Sequence, residues 1–142
     1  MGIDIYQTWP NMTDEEEKAR FTGFNIDKGE IGYLREAYHG SPYATKILVP
    51  EAFDHKEPNG FEHDCMAAGC KETDCQGVQI SAATLRARLP AVLDAAIERE
   101  RTVYHNDVTA TDEGPRAFTG FVELAERKEA ELGVPVRVYA SY

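Results

Sequence analysis

The chain is 142 residues long and carries 25 acidic against 15 basic residues, a net charge of −10. This disfavours the phosphate neutralisation behind nucleic-acid binding and reads first as solubilising surface charge. At 42% hydrophobic residues the composition is too apolar for a disordered segment, and one α+β domain spanning residues 1–142 is expected.

In IDIYQTW, Ile3 and Ile5 alternate with polar neighbours up to Trp9, and Pro10 stops the run, which predicts a short strand. Thr13 followed by Glu16 has the form of a capping box, so a short helix is predicted over about 14–21. Residues 23–32 are punctuated by glycine and read as turn. EIGYLREAYHG places Ile31, Leu34 and Tyr38 at helical spacing, with Gly40, Ser41 and Pro42 as a stop. YATKILV then alternates Tyr43, Thr45, Ile47 and Val49, so a helix followed by a strand is predicted here.

Between about 51 and 77 periodicity fails and acids accumulate, which marks a long irregular insert. VQI reads as a strand and Ser81 as the N-cap of the longest helix. Leu85, Leu89, Val92, Ala96 and Val103 keep one phase across Pro90, so a kinked but continuous helix is predicted. Pro115 suits a first helical position, Phe118, Phe121, Val122, Ala125 and Leu132 mark a buried face, and Gly133 ends a second long helix. Val134, Val136, Val138 and Ala140 alternate in a terminal strand expected to pair inside the sheet, with Pro135 at an edge or outside the ladder. The sum is a small, mostly antiparallel sheet of about four strands with two long and two short helices packed on it.

All three cysteines fall in HDCMAAGCKETDCQG. His63, Cys65, Cys70 and Cys75 would supply three thiolates and an imidazole, a tetrahedral set for zinc, and His55 is a further nitrogen donor. The C-x4-C-x4-C spacing is wider than the tight pairs of most zinc sites, so a solvated acidic loop and a redox switch stand beside the metal reading. Clustered cysteines of odd number suit a reducing compartment, and MGIDIYQTWP lacks a signal-peptide layout, so a cytoplasmic location without membrane attachment is expected.

The other polar and aromatic cluster is YLREAYHGSPYAT. Placed on a helix, Arg35 and His39 lie one turn apart and share a patch with Tyr38, while Tyr43 closes one side. A bidentate cation, a titratable donor and stacking faces are what a small anionic or nucleotide-like ligand requires. The competing reading makes the tyrosines packing residues and pairs Arg35 with a surface acid. No nucleophile elbow, phosphate loop, dinucleotide fingerprint or zincin motif occurs, so catalysis has no support in the residues.

The phrases GYLREAYHGSPYATKILVPEAF, ATLRARLPAVL and FVELAERKEAELGVPVRVYASY resemble a family of small proteins of bacterial genomes and their phages. The resemblance leaves out the cysteine-bearing insert and implies no activity for any residue, but it favours accessory roles such as ligand or partner binding. The leading expectation is therefore a non-enzymatic binding or interaction protein that holds a small molecule or a protein partner near residues 33–45. A zinc-binding or metal-dependent enzyme organised by the 55–75 loop, and an acidic blocker of a DNA-binding protein, are the alternatives. A homo-oligomer is compatible with each.

Under the zinc reading, protein purified without chelator carries near-stoichiometric zinc by elemental analysis and Cys70→Ser loses it, because a tetrahedral site cannot spare a thiolate. Metal-free protein under the same handling decides for one of the other two readings of the loop.

Overall fold

The computed structural model describes residues 2–20, 26–53 and 77–142. In chain order the elements are β1 (Gly2–Thr8), α1 (Asp14–Ala19), β2 (Tyr33–Ala37), α2 (Ala44–Leu48), β3 (Val78–Gln79), α3 (Ala82–Val103), α4 (Pro115–Leu132) and β4 (Arg137–Ser141), with single 3-10 turns over Ile26–Ile31 and Pro50–Phe53. The strands form one antiparallel sheet in the order β2-β1-β4-β3. This is the α+β class expected from the sequence. His55 and the set His63, Cys65, Cys70 and Cys75 lie outside the described residues.

Register decides which face the core uses. Ile3 stands opposite Glu36 and Ile5 opposite Leu34, while Ile5 and Gln7 stand opposite Ala140 and Val138 on the other side of β1. Successive side chains on a strand point to opposite faces, so these residues share one face. Leu85, Leu89 and Val92 of α3 and Phe118, Phe121 and Val122 of α4 join Ile3, Ile5, Leu34 and Val138 in the buried cluster. Gln7 is fully buried among them, and its Nε2 donates to the Phe121 carbonyl at 2.6 Å. Across the opposite face, Tyr6 stacks on Tyr139 with centroids 4.9 Å apart and tilts against Tyr33 at 5.2 Å. There the Tyr33 hydroxyl donates to Asp4 at 2.6 Å. Burial first, and then that bond to a carboxylate, push the Tyr33 phenol far above its ordinary range.

Local signals set the ends of the helices. Thr13 and Glu16 form the reciprocal capping box, with the Glu16 N–H donating to Thr13 Oγ1 at 3.1 Å and the Thr13 N–H to Glu16 Oε1 at 3.0 Å. Ser81 caps α3, which runs unbroken through Pro90 with Leu85, Leu89, Val92 and Ala96 buried. Pro115 opens α4, and Gly133 closes it in the left-handed conformation, φ 74°. Gly adopts that conformation at no steric cost, whereas residues with a Cβ do so rarely. β4 lies inside the sheet between β1 and β3, and it starts at Arg137, which leaves Pro135 outside the ladder.

One pair of elements is interchanged relative to the expectation. Residues 33–37 form a strand rather than a helix, and residues 44–48 a helix rather than a strand. The spacing of Ile31, Leu34 and Tyr38 is accidental, since Ile31 belongs to a 3-10 turn and Tyr38 lies past the strand. The period-two pattern of β2 is hidden because its second core-facing position is Glu36. In the next segment Ala44, Thr45 and Leu48 are the buried residues of the helix, a face that competes with the apparent alternation of Thr45 and Ile47. Tertiary contacts to Glu36 decide the outcome, overriding the β propensity of two short segments.

Among the described residues no helix is long and apolar enough to cross a membrane. Leu89, 4% exposed within the core cluster, gives a direct measure of this packing. Leu89→Ala is expected to lower stability in urea unfolding by about 2–5 kcal/mol, the cost of lost transfer energy plus a cavity.

Candidate functional site

The end of β2 is fixed by two charged side chains placed at core positions. Glu36 accepts from the N–H groups of Ala44 at 2.9 Å and Thr45 at 3.0 Å, and from Thr45 Oγ1 at 2.7 Å. A carboxylate from the preceding strand thus satisfies N–H groups that open α2 and that have no partner within the helix. Arg99 of α3 brings Nε to 3.5 Å from Glu36 Oε2, with side-chain exposures of 11% and 3%. Its remaining donors reach the Ala37 carbonyl at 3.1 Å, the Pro42 carbonyl at 3.1 Å, and the Gly40 carbonyl. The guanidinium also lies 4.9 Å from the Tyr43 ring centroid. One side chain therefore ties the strand end, the turn and the start of α2 to the long helix.

Two concavities flank this tether. The first, about 350 Å³, opens between the end of β2, the last turns of α3 and the start of α4. Arg35, Arg99, Glu100, Tyr104, Gly114 and Phe118 are among its walls. Phe118 is buried and makes the floor, whereas Tyr104 is 43% exposed. Arg35 reaches Asp4 at 3.4 Å and its side chain is a quarter exposed. Glu100 accepts from Asn106 Nδ2 at 3.1 Å. The second, about 640 Å³, runs between the 39–42 turn and the flank of α3, lined by His39, Pro42, Ile47, Ala95, Glu98 and Arg99 among others.

The four residues expected to share one patch are distributed by the strand geometry of β2. Arg35 lines the first concavity and His39 the second, while Tyr38 and Tyr43 line neither. Tyr38 is 42% exposed and packs edge-on to Tyr43, with centroids 6.4 Å apart. His39 stays close to the first concavity through an edge contact with Tyr104, centroids 5.3 Å apart. Glu36, Arg99, Glu100 and Tyr104 did not emerge from the sequence. For Arg99 a signal exists, because it falls on the stripe of Leu85, Leu89, Val92, Ala96 and Val103, at a step where an apolar residue is due. Among the described residues no three His, Cys, Asp or Glu side chains converge as a metal-holding group.

The fold and cleft define a small α+β protein with a polar, aromatic-rimmed cleft at the end of its sheet. No protein-family model, curated protein or solved structure matches the chain.

Glu36→Ala removes three hydrogen bonds and leaves Arg99 without its buried counter-charge. It is expected to destabilise the protein by about 3–5 kcal/mol in urea unfolding, the cost of breaking a buried pair. Thr45→Val, which removes one hydroxyl bond, should cost about 1 kcal/mol.

Proposed function

We propose that this protein is a non-enzymatic binding protein that holds a small, anionic, nucleotide-like ligand in the cleft at the end of β2. The observation that carries the reading is the convergence of Arg35, Glu100 and Tyr104 above the buried Phe118, around about 350 Å³. A concavity of this size with an apolar floor and a few convergent polar groups is the usual form of a small-molecule site.

Each wall has a part in that reading. Tyr104 offers a stacking face to a planar heterocycle, and the Glu100 carboxylate accepts from an exocyclic amine. Arg35 donates to the acidic group in a charge-assisted bond. Gly114 and Pro115 bring the start of the 18-residue helix α4 to the same cleft, where the positive end of its dipole favours an anion. The Arg99 tether keeps β2 and α3 at a fixed separation, which limits the ordering cost of binding.

Calorimetric titration with mononucleotides is expected to give saturable binding. Glu100→Ala and Tyr104→Ala should each weaken it by about tenfold or more, through a lost hydrogen bond and a lost stacking contact, with little change in thermal unfolding. His39→Ala, which reaches the ligand only by way of Tyr104, should weaken binding less. Failure of every mononucleotide to bind, or unchanged affinity in both cleft variants, overturns the reading.

A further inference from the structure

A cluster of side chains around Tyr43 lies outside the lining of the cleft. Three aromatic rings from separate parts of the chain converge on the ammonium of Lys46, an exposed residue of α2. Its Nζ is 5.4 Å from the ring centroid of Tyr43, 5.4 Å from that of Phe53 and 6.0 Å from that of Tyr142. Among the described residues no carboxylate pairs with this lysine, although the chain carries 25 acids. Among the described residues this ammonium lies against ring faces.

The rings are held in place before any ligand arrives. The Tyr142 hydroxyl donates to the Phe53 carbonyl at 2.9 Å, and the two rings lie 4.9 Å apart at 48°. On the other side, the Gly40 N–H donates to the Tyr43 hydroxyl at 3.2 Å and Arg99 lies against the Tyr43 ring. The distances from Lys46 are near the outer limit of about 6 Å for a cation–π contact. A primary ammonium is compact and strongly hydrated, so it stays at the mouth. A trimethylammonium head is broader and weakly hydrated, and it can touch all three rings while leaving less water to displace.

We infer that Tyr43, Phe53 and Tyr142 form a binding site for the ammonium head of a small quaternary amine, with Lys46 as its resident, displaceable occupant. Charge selects the ligand, since the ring faces are negative and the net charge of −10 favours the approach of cations. Lys46 weakens binding by competing for the faces, and its withdrawal into solvent opens the site.

Choline is the probe, read by shifts of the Tyr43, Phe53 and Tyr142 ring protons in NMR titrations of the whole protein. Wild type is expected to bind weakly and Lys46→Ala about tenfold more tightly, while Phe53→Leu in the Lys46→Ala background loses most of the gain. The neutral isostere with a tert-butyl group in place of trimethylammonium should leave the rings unshifted. The inference is overturned if choline fails to shift these rings in Lys46→Ala, if wild type and Lys46→Ala bind alike, or if the neutral isostere binds as well as choline. A cooperative unfolding transition for each variant shows that lost binding is not lost folding. Mononucleotide binding at the cleft, measured in the same samples, is expected to be unaffected.

Discussion

A carboxylate and a guanidinium stand where the packing pattern asks for apolar side chains, and the end of the sheet is organised around them. Glu36 occupies the core-facing position of β2 next to Leu34, and Arg99 occupies the core-facing stripe of α3. Burying either charge alone would be costly. Together they offset each other, and each also bonds backbone groups of residues 37–45. An apolar pair of the same volume would fill the space but leave the first N–H groups of α2 and three turn carbonyls to find other partners. The pair therefore specifies a conformation as well as filling a core, a use of buried charge that stability alone would not favour.

Arg99 belongs to the walls of both concavities. The turn that carries His39 and the strand end that carries Arg35 hang from the same guanidinium, and Tyr104 touches His39 across the boundary. The acidic surface is distinct from this machinery. Ion pairs such as Arg86 with Glu126 and Arg101 with Glu98 lie on exposed helix faces, where their contribution to stability is small.

Much of the fold was legible because its strongest signals are local. The Thr13 and Glu16 box, Ser81, Pro115 and Gly133 act within one helical turn of themselves, and the alternation at Ile3 and Ile5 needs no distant partner to be read. The long stripes of α3 and α4 likewise report a face without saying what covers it. Residues 33–48 were misread because both elements are only five residues long, and their identity is settled by Glu36 reaching residues eight and nine positions ahead. The cleft was legible only at Arg35. Glu100 of α3 and Tyr104 just past its end reach it from more than sixty positions along the chain, and in a run such as IERERTVYHND only Arg99 is marked, by its place on the apolar stripe, while nothing singles out Glu100 or Tyr104. The cation held by three rings was equally hidden, since Tyr43, Phe53 and Tyr142 are brought together by the placement of β4 and by one hydroxyl bond.

The strand order has a consequence for how the molecule is assembled during synthesis. Among the described strands β4 comes after β1, β2 and β3 in the chain, yet it is an inner strand, and it supplies a partner to both β1 and β3. Among the described residues, β1 has only β2 to pair with until residues 137–141 are available, and β3 has no other partner. The sheet must keep a slot for its final strand while both long helices, already complete, compete to cover the same apolar face. Such late, long-range closure makes for slow folding and a transiently exposed edge. A chain broken before Arg137 lacks this inner strand and leaves Ile5 and Gln7 without their cross-strand neighbours Ala140 and Val138.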